Sequence, residues 1–261
     1  REKTQYESIW EADADILSAS RLDRLLTHLE QQFSYEHLLE LTVEAGRPDS
    51  ITREKLEVLR NHGISRISVN PQTMQQKTLD LVEEGNSEDV VQTFRLAREL
   101  GFENINMDLI AGLPGEAPED MEDAAADPGA SPGQSDGACP CHQAGIEDCA
   151  RNREAEKALQ VTASAEDLTA MIDAAYRCAE EMGLVPYYLY RQKNMAGKFE
   201  NVGYAEVDKA GIYNILIMEE KQPIDRFGAG GSSKLVFDQG KRIERVENVK
   251  DVTNYIDRID E

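Results

Sequence analysis

Apolar positions in the first part of the chain recur at helical spacing and then at strand spacing. Leucines three to four residues apart predict a helix over residues 19–32, with Ser18 or Ser20 as the expected N-cap. The run that follows, Leu38–Ala45, is rich in β-forming residues and is predicted as a strand. This part of the chain is therefore predicted to be a helix that leads into a strand.

The same order recurs from Thr52 onward. Thr52–His62 carries two leucines on one helical face, and Gly63 is expected to end that helix in a left-handed conformation. Ile64–Asn70 then alternates apolar and polar residues, as a strand with one buried face does. A second helix and strand are therefore predicted.

A third repeat begins at Ser87, the expected cap of a helix over Glu88–Leu100. Gly101 ends this helix, and Phe102–Ile110 is predicted as the next strand. Because helices alternate with strands, we predict an α/β fold whose parallel strands are joined by right-handed crossovers. A barrel or part-barrel is the preferred closure, although the periodicity also allows an open sheet with helices on both faces.

The C-terminal part of the chain has a different pattern. Ala165–Met182 is predicted as a helix that Gly183 ends, and the segment after it, Pro186–Asn194, is rich in tyrosine. The unbroken apolar run Ile212–Met218 is predicted as a strand, and the last twenty residues as a charged terminal helix.

Residues 124–150 do not fit this scheme. They are rich in Ala, Gly and Pro, and no Lys or Arg occurs between Glu99 and Ala150. Such a stretch buries little apolar surface, so it is predicted as a long disordered loop. A second hypothesis is a displaced reading frame, because codons read one nucleotide out of phase could encode a helix, a turn and a strand here. Resequencing the coding DNA distinguishes the two hypotheses.

Charge and cysteine content narrow the possible partners. The formal net charge of −22 argues against nucleic acid or an anionic membrane surface, because both bind basic proteins. No apolar run is long enough to span a bilayer, and the four cysteines are expected to be free thiols in a reducing cytoplasm. Cys139, Cys141 and His142 lack the spacing of a structural zinc site, so no metal site is predicted there.

Polar side chains occur where three of the predicted strands end. Glu44, Gln72 and Asp108 hold comparable positions on successive strands. Ligands of parallel α/β folds bind at the carboxyl ends of the strands. Together the three can hold the hydroxyls and ammonium of a nucleoside-like ligand, although each alone is more often an ordinary strand-end cap or a surface polar residue.

Three motifs carry a resemblance to a known family. TVEAGRPD begins at Thr42, RISVNPQTM at Arg66 and NINMDLIAGLPGE at Asn104. In this order they resemble oxygen-independent coproporphyrinogen III dehydrogenases (oxidases), radical S-adenosylmethionine (SAM) enzymes, and in particular the clostridial and bacillus-type branch. PYYLYRQKNMAGKFENVGYA and YNILIMEEKQ extend the likeness, which covers roughly residues 17–114 and 155–261.

The resemblance implies a radical SAM partial (βα) barrel with a C-terminal α+β extension. It implies that Glu44, Gln72 and Asp108 contact SAM, and that a [4Fe–4S] cluster cleaves SAM to a radical. In the family, that radical abstracts hydrogen from propionates of coproporphyrinogen III, which lose CO₂ and become vinyl groups during haem biosynthesis. The implied partners are the porphyrinogen and an electron donor protein, and Arg191 and Lys193 are candidates for pairing with substrate carboxylates.

The sequence also departs from the family pattern. The family's C-x₃-C-x₂-C cluster loop is absent, and the spacings of Cys139, Cys141 and Cys149 do not replace it. We therefore expect an N-terminally truncated copy that cannot cleave SAM by itself. Val82–Gly85 stands where the family has an I-G-R segment, whose arginine would hold the SAM carboxylate.

The resemblance to the family predicts that the chain divides into three parts. Residues 1–123 are expected to form part of the barrel, 124–150 the atypical segment and 151–261 the extension. One alternative function is a non-catalytic haem- or partner-binding relative that lost its cluster loop. Another is a metal-independent βα barrel enzyme, for which Glu44 and Asp108 are the available acid–base pair.

Overall fold

The computed structural model describes residues 7–9, 17–45, 47–82, 85–113, 115–125, 146–148, 164–190, 201–220 and 222–258. The chain divides into two compact units, residues 1–211 and 212–261. The three-part division predicted from the family likeness stays a prediction. No helix within the described ranges has both the length and the apolar character of a membrane span.

A parallel sheet organises the first unit. Its strands follow one another in space in sequence order, β1 (Glu7–Ile9), β2 (Leu41–Glu44), β3 (Arg66–Ser68) and β4 (Asn104–Asn106). A second parallel pair consists of β5 (Leu109–Ala111) and β6 (Ile146–Asp148). The predicted α/β architecture with parallel strands is confirmed, except that Phe102–Ile110 forms two short strands rather than one.

Helices connect these strands. They are α1 (Ala19–Gln32), α2 (Arg53–Asn61), α3 (Gln76–Val82), α4 (Ser87–Glu99), α5 (Pro118–Ala125) and α6 (Ala165–Glu181). The predictions for α1, α2, α4 and α6 are confirmed to within a residue or two at each end. The cap of α4 is one residue earlier than predicted, because Asn86 rather than Ser87 accepts the hydrogen bond from the Asp89 backbone N–H, at 2.9 Å.

The two faces of the four-stranded sheet differ in chemistry. Val43, Ile67 and Ile105 lie side by side in register and are buried against α1, α2 and α4. Because side chains alternate between faces along a strand, the residues between these positions lie on the opposite face. We call it the polar face, and it comprises Thr42, Glu44, Arg66, Ser68, Asn70, Asn104, Asn106 and Asp108.

Arg66 closes the amino-terminal end of the polar face. Its Nε lies 3.3 Å from Glu40 Oε2, and its Nη2 donates to the backbone oxygen of Lys209 at 2.6 Å. Arg66 and Glu40 are both largely buried, with side chains 6% and 11% exposed. The segment around Lys209 is thereby held at this end of the sheet.

An antiparallel hairpin follows α6 in the first unit. It consists of β7 (Val185–Tyr190) and β8 (Asn201–Ala205), with Tyr188 opposite Gly203. The tyrosine-rich segment Pro186–Asn194 therefore begins within strand β7. Arg191 and Lys193 lie outside the described residues, so their predicted role stays a prediction.

The atypical segment is only partly described. Ile146–Asp148 pairs in parallel with Leu109–Ala111, so the expectation of a loop is wrong at these three residues. The backbone hydrogen bonds of a neighbouring strand stabilise an extended conformation here despite the low apolar content. The cysteines Cys139, Cys141 and Cys149 lie outside the described residues.

The second unit contains α7 (Ile212–Met218), a hairpin of β9 (Ser232–Phe237) and β10 (Arg242–Glu247), and α8 (Val252–Asp257). The predicted strand at Ile212–Met218 is wrong, since a short unbroken apolar run does not distinguish helix from strand. The predicted terminal helix is also wrong, apart from α8. The chain reverses at Gly240, whose φ of +91° permits the tight turn, and Arg242–Glu247 pairs with β9 instead.

Candidate functional site

The carboxyl end of β3 contains a bulge that presents Gln72. Ser68 is in register with Asn106, whereas Gln72 bridges to Leu109, so β3 holds one more residue than its neighbour over this interval. Gln72 has a φ of +61°, which is uncommon for a residue other than glycine. The Ile110 backbone N–H donates to the Gln72 carbonyl at 2.8 Å and fixes this conformation. Bulges and unusual φ values cluster at functional sites.

Glu44 lies at the carboxyl end of β2, half-buried on the polar face. Its Oε2 accepts a hydrogen bond from Asn70 Nδ2 at 3.2 Å, and the Ser68 hydroxyl also hydrogen-bonds to the carboxylate. Burial raises the pKa of Glu44 above its ordinary value, although the hydrogen bonds from Ser68 and Asn70 favour the ionised form. The two neighbours therefore orient a carboxylate that burial makes easier to protonate.

Asp108 follows β4, two strands away from Glu44. Its Oδ1 accepts a hydrogen bond from Asn106 Nδ2 at 3.2 Å. Asn106 is in register with Ser68, which is in register with Glu44. Glu44 and Asp108 therefore lie at the same edge and on the same face of the sheet, and the bulge with Gln72 belongs to the strand between them.

Acceptor oxygens on the polar face are buried without hydrogen-bond partners among the described residues. Asn70 Oδ1 and Asn106 Oδ1 lie at the carboxyl edge, whereas Thr42 Oγ1 and Asn104 Oδ1 lie in the row of Arg66, nearer the amino-terminal end. Buried polar atoms in proteins are nearly always paired, so such a set fits a ligand that brings N–H or O–H donors. SAM brings an ammonium and two ribose hydroxyls, and the residues at this edge fit it.

Sequence reasoning missed the three residues that support the predicted carboxylates. Ser68, Asn70 and Asn106 each looked like an ordinary polar residue near a strand end. The signal that identifies them is their even spacing. Each lies two residues from another polar position on its own strand, so that they share a face.

The rim beside the bulge is formed by two loops and the first turns of the helices that follow them, α3 and α5, which hydrogen-bond to each other. Thr73 Oγ1 donates to Glu116 Oε1 at 2.5 Å, and Lys77 Nζ lies 2.7 Å from Asp120 Oδ2. Burial raises the pKa of Glu116, and the charge of Asp120 adds to this, while the hydrogen bond from Thr73 opposes it. The loop after β3 is thus anchored to the loop that leads into α5.

A shallow groove opens next to the site. Asn70 and Pro71 line it from the segment after β3, Arg47 from the turn after β2, and Asn86 from the start of α4. Asn70 therefore borders both Glu44 and this groove.

The residues present do not fit an iron–sulfur cluster. In the part of the chain that the structure describes, no group of three or more His, Cys, Asp or Glu side chains is arranged to hold a metal ion. Cys178 on α6 forms no disulfide with another described residue. The 261-residue sequence contains no C-x₃-C-x₂-C spacing. Glu83 and Glu84 belong to the segment that replaces the family's I-G-R sequence, and both lie outside the described residues.

Comparison with known proteins identifies relatives of this chain. Residues 10–127 match the model of the radical SAM superfamily. The chain is 37% identical over 246 residues to the oxygen-independent coproporphyrinogen-III oxidase-like protein HemZ of Bacillus subtilis (strain 168), covering 94% of this chain and 48% of that protein. It is 36% identical over 108 residues to the heme chaperone HemW of the same organism, covering 41% of this chain and 28% of that protein.

A solved structure shares the fold. Coproporphyrinogen III oxidase (HemN) from Escherichia coli superposes with a TM-score of 0.65 at 18% identity, covering 94% of this chain and 54% of that one. The predicted radical SAM fold and the predicted likeness to coproporphyrinogen oxidases are confirmed. The chain spans about half the length of the curated relative that it matches over most of its residues.

Proposed function

Because residues 10–127 of the chain match the radical SAM superfamily, we propose that the carboxyl edge of its polar face binds SAM through Glu44, Gln72 and Asp108. The observation that carries this proposal is Asn106. It is 7% exposed, donates to Asp108 and has a buried amide oxygen that accepts no hydrogen bond from the described part of the chain. Two carboxylates and such amide oxygens at one edge suit an ammonium and hydroxyls.

Equilibrium dialysis of the full chain against labelled SAM tests the proposal. Glu44→Gln and Asp108→Asn each remove one charge with little change in shape, and each is expected to weaken binding at least about tenfold, the loss typical of a charge-assisted hydrogen bond. Glu57→Gln removes an exposed carboxylate on α2 and serves as the matched control. Wild-type chain that binds no SAM, or variants that bind like the control, would contradict the proposal.

We further propose that the site serves oxidative decarboxylation of porphyrinogen propionates. The support is the likeness to a coproporphyrinogen-III oxidase-like protein over 94% of this chain. The radical chemistry would come from SAM, while the residues described here bind and orient it. Since the sequence contains no C-x₃-C-x₂-C spacing, the 261-residue polypeptide is expected to bind SAM without cleaving it. Anaerobic incubation with iron, sulfide, reductant and SAM checks this, because release of 5′-deoxyadenosine would refute it.

A second candidate function is haem binding without catalysis. It is favoured by the 36% identity to a heme chaperone and by the absence of cluster spacing in the sequence. Titration of the full chain with haemin, followed by visible absorption, tests this function directly. Saturable binding of one haem that survives Glu44→Gln would support it, because the two functions would then use different residues.

A further inference from the structure

The hairpin of the second unit has one open edge. On one side of β9, Lys234 bridges to Ile224, and on the other side β9 pairs with β10. Among the described residues, β10 has no strand neighbour other than β9. Its side chains are exposed except that of Ile243, which is half-buried. An open edge strand is a template for pairing with another chain unless its side chains prevent it.

Backbone hydrogen bonds fix which groups of β10 point outward. The Lys234 N–H donates to the Ile224 carbonyl, and the Lys234 carbonyl accepts from the Ile224 N–H, both at 2.8 Å. Arg245 is in register with Lys234, so its own N–H and C=O point away from β9. The direction alternates along a strand, so the backbone groups of Ile243 and Glu247 also point outward. The outer edge of β10 therefore offers donors and acceptors at every second residue.

This alternation restricts how a second copy of β10 can pair with that edge. In an antiparallel pair, opposite residues both point their backbone groups at each other or both point them away. A two-fold pair must therefore be centred on a residue that lies opposite its own copy. Four such registers place a charged residue opposite itself, those centred on Arg242, Glu244, Arg245 and Glu247. The register centred on Ile243 places Lys241 opposite Arg245, which again opposes like charges.

The register centred on Val246 has no such conflict. It places Arg245 of each copy opposite Glu247 of the other, and Glu244 opposite Asn248. Val246, which is 52% exposed, meets its own copy at a position without hydrogen bonds between the two chains, where side chains approach most closely. Opposite charges and apolar pairs directly across two strands attract. The charges of this edge thus disfavour every other two-fold register and favour this one.

We propose that the outer edge of β10 pairs antiparallel with β10 of a second copy of this chain, centred on Val246. The two hairpins then form one continuous sheet, in which the backbones of Arg245 and Glu247 hydrogen-bond reciprocally between the copies. A second copy is the partner because the charge pattern of β10 complements itself. A single strand edge buries less than the roughly 1,200–2,000 Å² of a stable interface, so the dimer is weak, with a Kd of about 10–100 µM. The proposal does not depend on the binding of SAM.

Sedimentation velocity of the full chain, from about 1 µM to about 500 µM, tests this dimer. The wild type should change from monomer to dimer across that range, and a chain that stays monomeric would overturn the proposal. Arg245→Glu and Glu247→Arg each oppose like charges twice and should weaken the dimer at least about tenfold. The double variant, with both substitutions, restores attraction and should return most of the affinity. A double variant as weak as the single ones would contradict the pairing.

Lys241→Glu is the matched control. It makes the same change in charge as Arg245→Glu, at an exposed position next to β10 but outside the proposed pairing. Its dimer should match that of the wild type. Equal weakening would make net charge the cause, and a tighter dimer would indicate the register centred on Ile243, so either result overturns the proposal. Circular dichroism verifies the fold of each variant, since the Ser232 hydroxyl donates to Glu247 at 2.7 Å.

A cross-link tests the register directly. In Val246→Cys the two introduced thiols face each other, with Cα atoms about 4.5 Å apart, which is within the range of a disulfide. Mild oxidation should link the dimer there, as peptide mapping would show. In Glu244→Cys the thiols lie on the same face but with Cα atoms roughly 14 Å apart, and should not link. The wild type, with its four native cysteines, gives the baseline. Equal linking in both variants, or none in Val246→Cys, would overturn the register.

Discussion

His62 Nδ1 lies 2.7 Å from Glu30 Oε1, so the residue that follows α2 is tied directly to α1. The other ring nitrogen, Nε2, lies 3.0 Å from Asp23 Oδ1 on the same helix. Only 10% of the His62 side chain is exposed. Burial alone lowers the pKa of His62, but the hydrogen bonds and charges of Glu30 and Asp23 outweigh it and raise the pKa above its ordinary value.

This bridge predicts that stability declines above neutral pH. Protonated His62 stabilises the folded state fully below the unfolded-state pKa of about 6.5, and the contribution is lost as pH rises through the higher folded-state value. We expect a loss of about 1 kcal/mol in the free energy of unfolding. Urea unfolding at a series of pH values from below 6.5 upward should show this loss of free energy for the wild type and not for His62→Gln. His28→Gln, at an exposed position on α1, is the control, and an unchanged pH dependence in His62→Gln would contradict the prediction.

The substitution Gln72→Gly should lower the affinity for SAM without lowering the free energy of unfolding. Glycine adopts a positive φ without steric cost, so the free energy of unfolding should stay level or rise by up to about 1 kcal/mol. SAM affinity should fall, because the side chain predicted to contact the ligand is gone. Glu220→Gly, at a φ of +51° in the second unit, is the matched control and should leave SAM affinity unchanged. A Gln72→Gly chain that binds SAM as well as the wild type would remove Gln72 from the site.

Glu116→Gln should stabilise the rim at neutral pH. The pKa of Glu116 is raised, mainly by burial, so its ionised form destabilises the folded state at pH values above that pKa. Glutamine keeps an oxygen that accepts from Thr73 without the charge. We expect the melting temperature to rise by about 2 °C at pH 7, discounted for partial solvent exposure, with no gain near the pKa of an ordinary glutamate. An equal rise in the melting temperature at both pH values would show that removing the charge of Glu116 is not what stabilises the variant.

Arg66→Met should be strongly destabilising, and a second substitution should repair it. Removing Arg66 leaves Glu40 as a buried charge without its cation, which costs about 3–5 kcal/mol. Replacing both residues, as Arg66→Met with Glu40→Leu, removes that charge and should recover most of the loss. Urea unfolding of the wild type, Arg66→Met, Glu40→Leu and the double variant gives the coupling between the two positions. A double variant no more stable than Arg66→Met would contradict this account.

Helical periodicity sustained over several turns predicted the fold well. The helices α1, α2, α4 and α6 carry enough apolar residues on one face to be located to within a residue or two, and the parallel sheet follows from their alternation with strands. The short helix α3 was missed because its seven residues span only two turns. The run Ile212–Met218 was assigned to a strand because seven consecutive mostly apolar residues contain no period that separates the two structures.

The candidate site was only partly predictable, because the sequence shows which residues end a strand but not how neighbouring strands are paired. A carboxylate at the end of a strand is visible in the sequence, and Glu44 and Asp108 do lie at one edge and on one face. The supporting asparagines were not predicted, because their significance depends on the register between strands. Asn70 contacts Glu44 across 26 positions of sequence, and the bulge that offsets Gln72 against Leu109 exists only once both strands are paired.

The alternation between the two faces of the sheet has a consequence for redesign. Along β2, β3 and β4, even-numbered positions form the polar face, while their odd-numbered neighbours pack against the helices. The two sets of residues can therefore be varied independently. A combinatorial library restricted to Thr42, Ser68, Asn70, Asn104 and Asn106 would change ligand preference while the apolar side of the scaffold stays intact, so this half of a barrel is a compact starting point for new specificities.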